Sequence, residues 1–172
     1  YHHVLNKDMG YNPERIVTEY QYCPDYNTSQ AVKNFYKGLS YVEAVTSSSE
    51  NSMLWGYSGE LMFDEGGNTL FSAKYDYMDE DYADTMGIRI KQGRFPRERR
   101  EVAVNEIWLM KRGWSIDHAI GQSIQTEEGQ VKIVGVIKDF QIGNFFEETM
   151  PFLMHYNPMF NGMIHLRLKE PF

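Results

Sequence analysis

The stretch VKIVGVIKDF, residues 131–140, has apolar side chains on both faces of an extended chain. Val131, Ile133 and Ile137 alternate against Val134, Val136 and Phe140, which predicts a strand buried on both sides inside a sheet. Gly135 in its middle implies a bend or a close approach of another backbone. The strand stops on Lys138-Asp139, and that pair raises the question of whether it is the working end of a site or the punctuation of a fold.

Working outward, IGQSIQTEEGQ leads into the strand as a hairpin, with Glu127, Glu128 and Gly129 as its turn. Upstream, EVAVNEIWLMKRGW reads as a short strand that breaks into a helix. Asn105 is its N-cap, Glu106 lies at its positive end, Lys111 and Arg112 at its negative end, and Gly113 is the stop. DEDYADTMG predicts a short helix ended by Gly87, followed by a strand in IRIKQG. Residues 53–77 predict a hairpin around DEGGN. After an irregular lead-in broken by Gly10 and Pro13, a first strand is predicted near 15–22. A helix over 28–38 follows, capped by Asn27 with Gln30, its apolar side formed by Ala31, Val32, Phe35, Tyr36 and Leu39. YVEAVTSSS supplies a second strand, and the resulting strand, helix, strand unit predicts parallel pairing. Pro151 and Gly162 introduce two late strands, PFLMHY and MIHLRLKE.

The chain has 172 residues, 42% apolar and 15% aromatic, enough for a core without disulfides or metal. A net charge of −7 with scattered basic residues argues against a nucleic-acid partner, because phosphate binding needs concentrated Lys and Arg. Cys23 is alone, so no internal disulfide forms. No apolar run approaches the ~20 residues that span a bilayer. A start without methionine and an end on KEPF suggest a piece of a longer protein.

Motifs for chemistry are sparse. His2, His3, His118, His155 and His165 contain no i, i+4 pair of the kind zinc proteases use, although His155 and His165 are predicted on neighbouring strands. No serine has the G-x-S-x-G context, and no phosphate-cradling loop occurs. The carboxylate clusters Asp79–Asp81, Glu127-Glu128 and Glu147-Glu148 read as solvated loops or helix starts rather than acid/base pairs. The basic loop Arg94, Arg97, Arg99 and Arg100 alternates with glutamates and reads as solvated. Trp55, Tyr57, Tyr75 and Tyr77 fit either a pocket or cross-strand packing.

The segments KYDYMDEDYADTMGIRIKQGRF, EVAVNEIWLMKRGW, AIGQSI, VKIVGVIKDF and ETMPFLMHY occur in an order that resembles the MacB-like periplasmic core domain of FtsX-like ABC transporter permeases, in its Bacteroidetes version. LNKDMGYNPERIV is similar to the segment that follows the first transmembrane helix there. The chain departs from the pattern at Gln141, where the family has histidine, across 48–68, and in the arginine-rich loop after Arg94.

The resemblance implies an α+β domain of two lobes: residues 1–50 with 141–172 as a porter-like lobe of strand, helix, strand units, and 51–140 as an inserted mixed α/β lobe. It implies a non-catalytic domain on the periplasmic side of the inner membrane. Its partners would be transmembrane helices of the same chain, a cytoplasmic ABC ATPase, a permease dimer partner, and a periplasmic adaptor or other envelope protein. It implies no cofactor and no catalytic, cofactor-binding or metal residue. ATP hydrolysis on the separate ATPase would be coupled to periplasmic motion in export or mechanotransmission. The alternative class is an extracytoplasmic ligand-sensing or binding module.

Overall fold

The computed structural model describes residues 8–21, 23–49, 58–126, 129–142, 148–159 and 162–170. Ten strands form one mixed sheet: β1 (Ile16–Tyr20), β2 (Val42–Ser48), β3 (Ser58–Phe63), β4 (Thr69–Met78), β5 (Ile90–Gly93), β6 (Glu101–Asn105), β7 (Ser123–Thr126), β8 (Gly129–Ile137), β9 (Phe152–Tyr156) and β10 (Met163–Leu168). Four helices accompany it: α1 (Tyr26–Lys37), α2 (Tyr82–Met86), α3 (Glu106–Arg112) and α4 (Ile116–Ala119). The strand order is β1-β10-β2-β4-β9-β6-β8-β5, with β3 on β4 and β7 on β8.

The opening stretch lies where its two apolar faces require. β8 pairs with β6 on one side and with β5 and β7 on the other, and Val131, Ile133, Val136 and Ile137 are buried. At Gly135 any Cβ would collide with the Arg94 carbonyl, the close backbone approach that its glycine implies. Phe140 is 1% exposed and meets Phe152 edge-on, centroids 5.0 Å apart. Lys138 is exposed, and Asp139 turns back onto α3: its Oδ1 accepts the Ile107 N–H at 3.0 Å, while Glu106 Oε2 accepts the Asp139 N–H at 3.3 Å. The charged pair is therefore punctuation. Asp139 satisfies a donor at the helix start that the backbone alone leaves open.

Asn105 joins the same corner. Its Oδ1 accepts from Trp108 N at 3.2 Å and from Phe152 N at 2.8 Å, and its Nδ2 donates to the Met150 carbonyl at 2.9 Å. One fully buried amide thus caps α3 and fixes the entry of β9. Gly87 and Gly113 both end their helices at φ 72°.

Two expectations fail at the N-terminal end. The cap of α1 is Asp25, not Asn27: its carboxylate accepts from Thr28 N at 2.9 Å and from Thr28 Oγ1 at 3.0 Å. The inward face of the helix is shifted as well: Val32, Tyr36 and Leu39 pack on the core as expected, but Ser29 and Lys33 are buried beside them, whereas Phe35 is 66% exposed and Ala31 lies in solvent. The shift accommodates an ion pair, described below. Secondly, β1 and β2 do not pair. Each runs antiparallel to β10, which lies between them, so they are parallel in direction but separated by the last strand of the chain.

The sheet has a seam. β2 and β4 share a single register pair, Ser48↔Met78, at the C-terminal end of each strand. The half β1-β10-β2 and the half containing β4 to β8 thus meet corner to corner. Their cores are largely separate: Val42, Val45, Ile164 and Leu166 pack with Val32, Tyr36 and Leu39 on the first side, and two larger clusters centred on Phe140 with Phe152 and on Trp108 with Ile133 fill the second, with Ile16 of β1 packing on the former of these.

Phe140→Ala is expected to lower the unfolding free energy by roughly 3–5 kcal/mol, the cost of emptying an aromatic core position. The check is a urea titration of purified protein, in which an unmoved midpoint would place Phe140 outside the core.

Candidate functional site

The seam is polar and buried. Asp79, 6% exposed, follows β4 and collects donors from three elements. Its Oδ2 accepts from Lys33 Nζ of α1 at 2.5 Å and from the N–H and hydroxyl of Ser47, each at 2.9 Å. Its Oδ1 accepts from the Thr46 hydroxyl and from Asp81 N at 3.1 Å. Lys33 is 1% exposed and its ammonium also lies 4.0 Å from Asp81, which Lys37 approaches at 3.3 Å. The sequence placed Asp79 in a solvated acidic run. Burial against α1 and β2 makes it the most bonded carboxylate of the seam instead.

The rest of TSSS, residues 46–49, serves the same boundary. Ser48 Oγ bonds His165 Nε2 at 2.9 Å, and Thr18 Oγ1 bonds His165 Nδ1 at 2.9 Å, so hydroxyls on both neighbouring strands hold the imidazole of β10. Ser49 Oγ donates to Asp76 Oδ1 at 2.5 Å. Tyr82 stacks edge-on against His165 at 5.4 Å. Arg167 completes the connection: its guanidinium donates to the carbonyls of Thr85, Glu14 and Asn12 at 2.6–2.9 Å, tying β10 to α2 and to the crossing segment that enters β1. That segment turns at Arg15, whose φ of 59° is the only positive value at a non-glycine among the described residues.

An open cleft of about 660 Å³ runs beside the seam, lined by Arg15, Lys37, Glu43, Asp81, Asp84 and Arg167 among others. Four of these charges pair, Arg15 with Glu43 at 3.3 Å and Lys37 with Asp81 at 3.3 Å, and Arg167 is taken up by backbone carbonyls. Among the described residues, no group of three or more His, Cys, Asp or Glu side chains is placed to hold a metal ion.

Other sequence candidates are dispersed. His155 and His165 are not on neighbouring strands, since β2 and β4 lie between β9 and β10. His155 instead sits against the rings of Tyr75 and Tyr77, at 6.0 and 5.2 Å, with Glu60 at 3.8 Å. Tyr75 and Tyr77 are packing residues, and Trp55 and Tyr57 lie outside the described residues. His118 packs on Trp114. Arg94 makes a two-pronged pair with Glu101, whose Oε2 also accepts Arg97 N at 2.9 Å, while the Arg97, Arg99 and Arg100 side chains are exposed. Gln141 is buried, its N–H donating to the Met9 carbonyl at 2.7 Å.

Lys33 is the residue that sequence reasoning missed. A lysine on the helical stripe of Ser29 and Val32, together with four successive hydroxyl residues in a strand, was the available signal: hydroxyls in a strand need buried partners.

No protein-family model matches the chain, and no curated protein does. Solved structures do. The periplasmic region of MacB from Actinobacillus actinomycetemcomitans superposes with a TM-score of 0.61 at 15% identity, over 99% of this chain and 81% of that one. This is the fold of the MacB periplasmic domain. The extracellular domain of the noncanonic ABC-type transporter YknZ from Gram-positive bacteria matches with a TM-score of 0.59 at 11% identity, over 90% of this chain and 84% of the other. A domain of a candidate permease protein from Porphyromonas gingivalis reaches 0.54 at 16% identity, over 79% and 60%. The MacB-like fold is a two-lobed α+β domain, as the sequence resemblance implied.

His165 gives this fold a titration of its own. Burial pushes its imidazole from 6.5 down to about 4, against a small upward pull from Asp79. Between these values the unfolded chain takes up a proton that the native one refuses. Its contribution is therefore complete above pH 6.5 and drains away as the pH falls toward 4. The loss amounts to about 3 kcal/mol. Replacement by a side chain that does not titrate, His165→Gln, is expected to flatten stability across that window, as read by denaturation at pH 7, 5.5 and 4.5; a variant that keeps the wild-type slope would assign the titration elsewhere.

Proposed function

We propose that this chain is the periplasmic domain of an inner-membrane ABC transporter permease, a non-catalytic part that couples cytoplasmic ATP hydrolysis to motion outside the membrane. The observation that carries the reading is the superposition on the periplasmic region of MacB over 99% of the chain. The topology supports it. β1 begins and β10 ends side by side, with Ile16 opposite Arg167, so the first and last strands open at one end of the sheet. A domain joined at both ends to helices of one bilayer needs that arrangement. No helix among the described residues is long and apolar enough to cross a membrane, so on this reading the spans lie outside them.

On the same reading the partners are transmembrane helices of the same chain, an ABC ATPase, a second permease copy, and a periplasmic adaptor or other envelope protein. The lobes are residues 1–50 with 141–172, and 51–140, with one refinement that the strand pairing supports. β9 bonds to β4 and β6, so the C-terminal boundary moves from 141 to beyond Tyr156.

The test is topological. In the full-length protein with Cys23→Ser, a cysteine at Met159, which is 57% exposed, is expected to react with a membrane-impermeant maleimide in intact spheroplasts. Labelling that appears only after lysis would put the domain on the cytoplasmic side and defeat the proposal. In the same protein, Asp139→Asn is expected to retain more transport activity than Phe140→Ala, because it weakens one helix-start bond whereas Phe140→Ala empties a core position.

A further inference from the structure

The two halves of the sheet meet at a polar boundary whose one fully buried ion pair, among the described residues, is Lys33–Asp79. Three observations converge. Among the described residues only Ser48↔Met78 joins the halves as a ladder, supported by Asp79 N–H to the Ser47 carbonyl at 3.2 Å and Ser49 N–H to the Tyr77 carbonyl at 2.8 Å. Beyond Met78, Tyr82 and Ile16, where the second core reaches the boundary, polar groups fill it: Lys33, Thr46, Ser47, Asp76, Asp79 and His165. Beside it the cleft of about 660 Å³ leaves room between β2 and α2. Apolar cores resist sliding because their packing has one good solution, whereas a polar interface between lobes exchanges its partners for water at modest net cost.

Lys33 and Asp79 sit where such motion must pass. Lys33 rides on α1, which packs on the first half, and Asp79 begins the turn from β4 to α2 in the second. Thr46 and Ser47 grip the same carboxylate from β2. We infer that the Lys33–Asp79 pair is the latch of an inter-lobe hinge whose pivot is the Ser48–Met78 corner: closed, it locks the β1-β10-β2 lobe against the β4 lobe, and its release lets the lobes rotate about that corner and change the width of the cleft. Asp81 and Lys37 at the cleft rim extend the charge network from the latch to the surface, so a cationic partner that engages Asp81 competes with Lys37 and, at 4.0 Å, with Lys33 for that carboxylate. The inference concerns motion inside the domain and stands or falls independently of the transporter reading.

Paired spin labels on the isolated chain, in a Cys23→Ser background, test it. Phe35→Cys and Met110→Cys, both about two-thirds exposed, report the distance between the lobes, and Leu61→Cys with Met110→Cys reports inside the second lobe. In Lys33→Met the inter-lobe distance distribution is expected to broaden about twofold or gain a second population while the intra-lobe distribution keeps its width. Thr46→Val, which removes one hydroxyl donor and leaves the charge pair, gives the same change to a smaller degree and serves where Lys33→Met fails to fold. Unchanged inter-lobe distances overturn the latch. Equal broadening of both label pairs overturns it too, because it would show general loosening in place of a hinge.

Discussion

A carboxylate taken out of water loses hydration worth several kcal/mol and recovers it only from donors held around it. Asp79 is such a group, and its position dictates much of what surrounds it. Lys33, the Thr46 and Ser47 hydroxyls and the N–H groups of Ser47 and Asp81 all point at it. Each of these residues is drawn from a different commitment of the chain: α1 must rotate to bring Lys33 inward, β2 must end in hydroxyl residues, and α2 must start immediately after β4. Replacing this set with apolar groups would make a tighter join. The protein instead has a boundary whose bonds are directional and separable, which fixes one arrangement of the lobes without fusing their cores.

The second lobe is organised by the opposite principle. From Ile133 onward β8 is held by dispersion on both faces and by backbone pairing on both edges, with Gln130 and Lys132 exposed at its start and a polar corner at its exit. There Asp139, Glu106 and Asn105 answer the open donors at the start of α3 and the first N–H of β9. The Asp139 carboxyl is held above its ordinary range mainly by burial, while Glu106 is held below it by Lys91. Two carboxyls with opposed shifts often mark acid/base catalysis. Here both carboxyls accept backbone N–H groups, from Ile107 and from Asp139, and burial on one side and Lys91 on the other account for the two directions.

What the sequence disclosed follows from the range of the forces involved. The caps at Asn105, Gly87 and Gly113, the DEGGN hairpin and the two-sided burial of β8 are decided by residues within a few positions, and each is legible locally. α1 was legible as a helix with Val32, Tyr36 and Leu39 facing the core, but not in the turn that buries Lys33 and exposes Ala31 and Phe35, because that choice was made by Asp79, 46 positions from Lys33. The same holds for β1 and β2, whose separation depends on β10, a strand more than 100 residues away, supplying His165 and Arg167 between them. The chain of ordered motifs carried the MacB-like resemblance because it reflects the local elements; it carried nothing about the seam, where the contacts are all remote.

The strain at Arg15 belongs to the same logic. A non-glycine residue at φ 59° costs of order 1 kcal/mol and persists only where the surroundings over-determine it. Arg15 is where the chain leaves the core of the second lobe, where Gly10 packs against Asp139 and Phe140, to begin β1 in the first. Arg167 holds the carbonyls of Asn12 and Glu14 on one side of the turn, and Arg15 itself reaches the Leu168 carbonyl at 2.9 Å and Glu43 on the other. The crossing is therefore held at both ends, mainly through backbone carbonyls, with Asn12 N–H also donating to the Met86 carbonyl and Asn12 Oδ1 accepting from Glu14 N. A crossing bonded at both ends in this way fixes where β1 begins relative to the second lobe, so that the position of one lobe sets the direction in which the other starts.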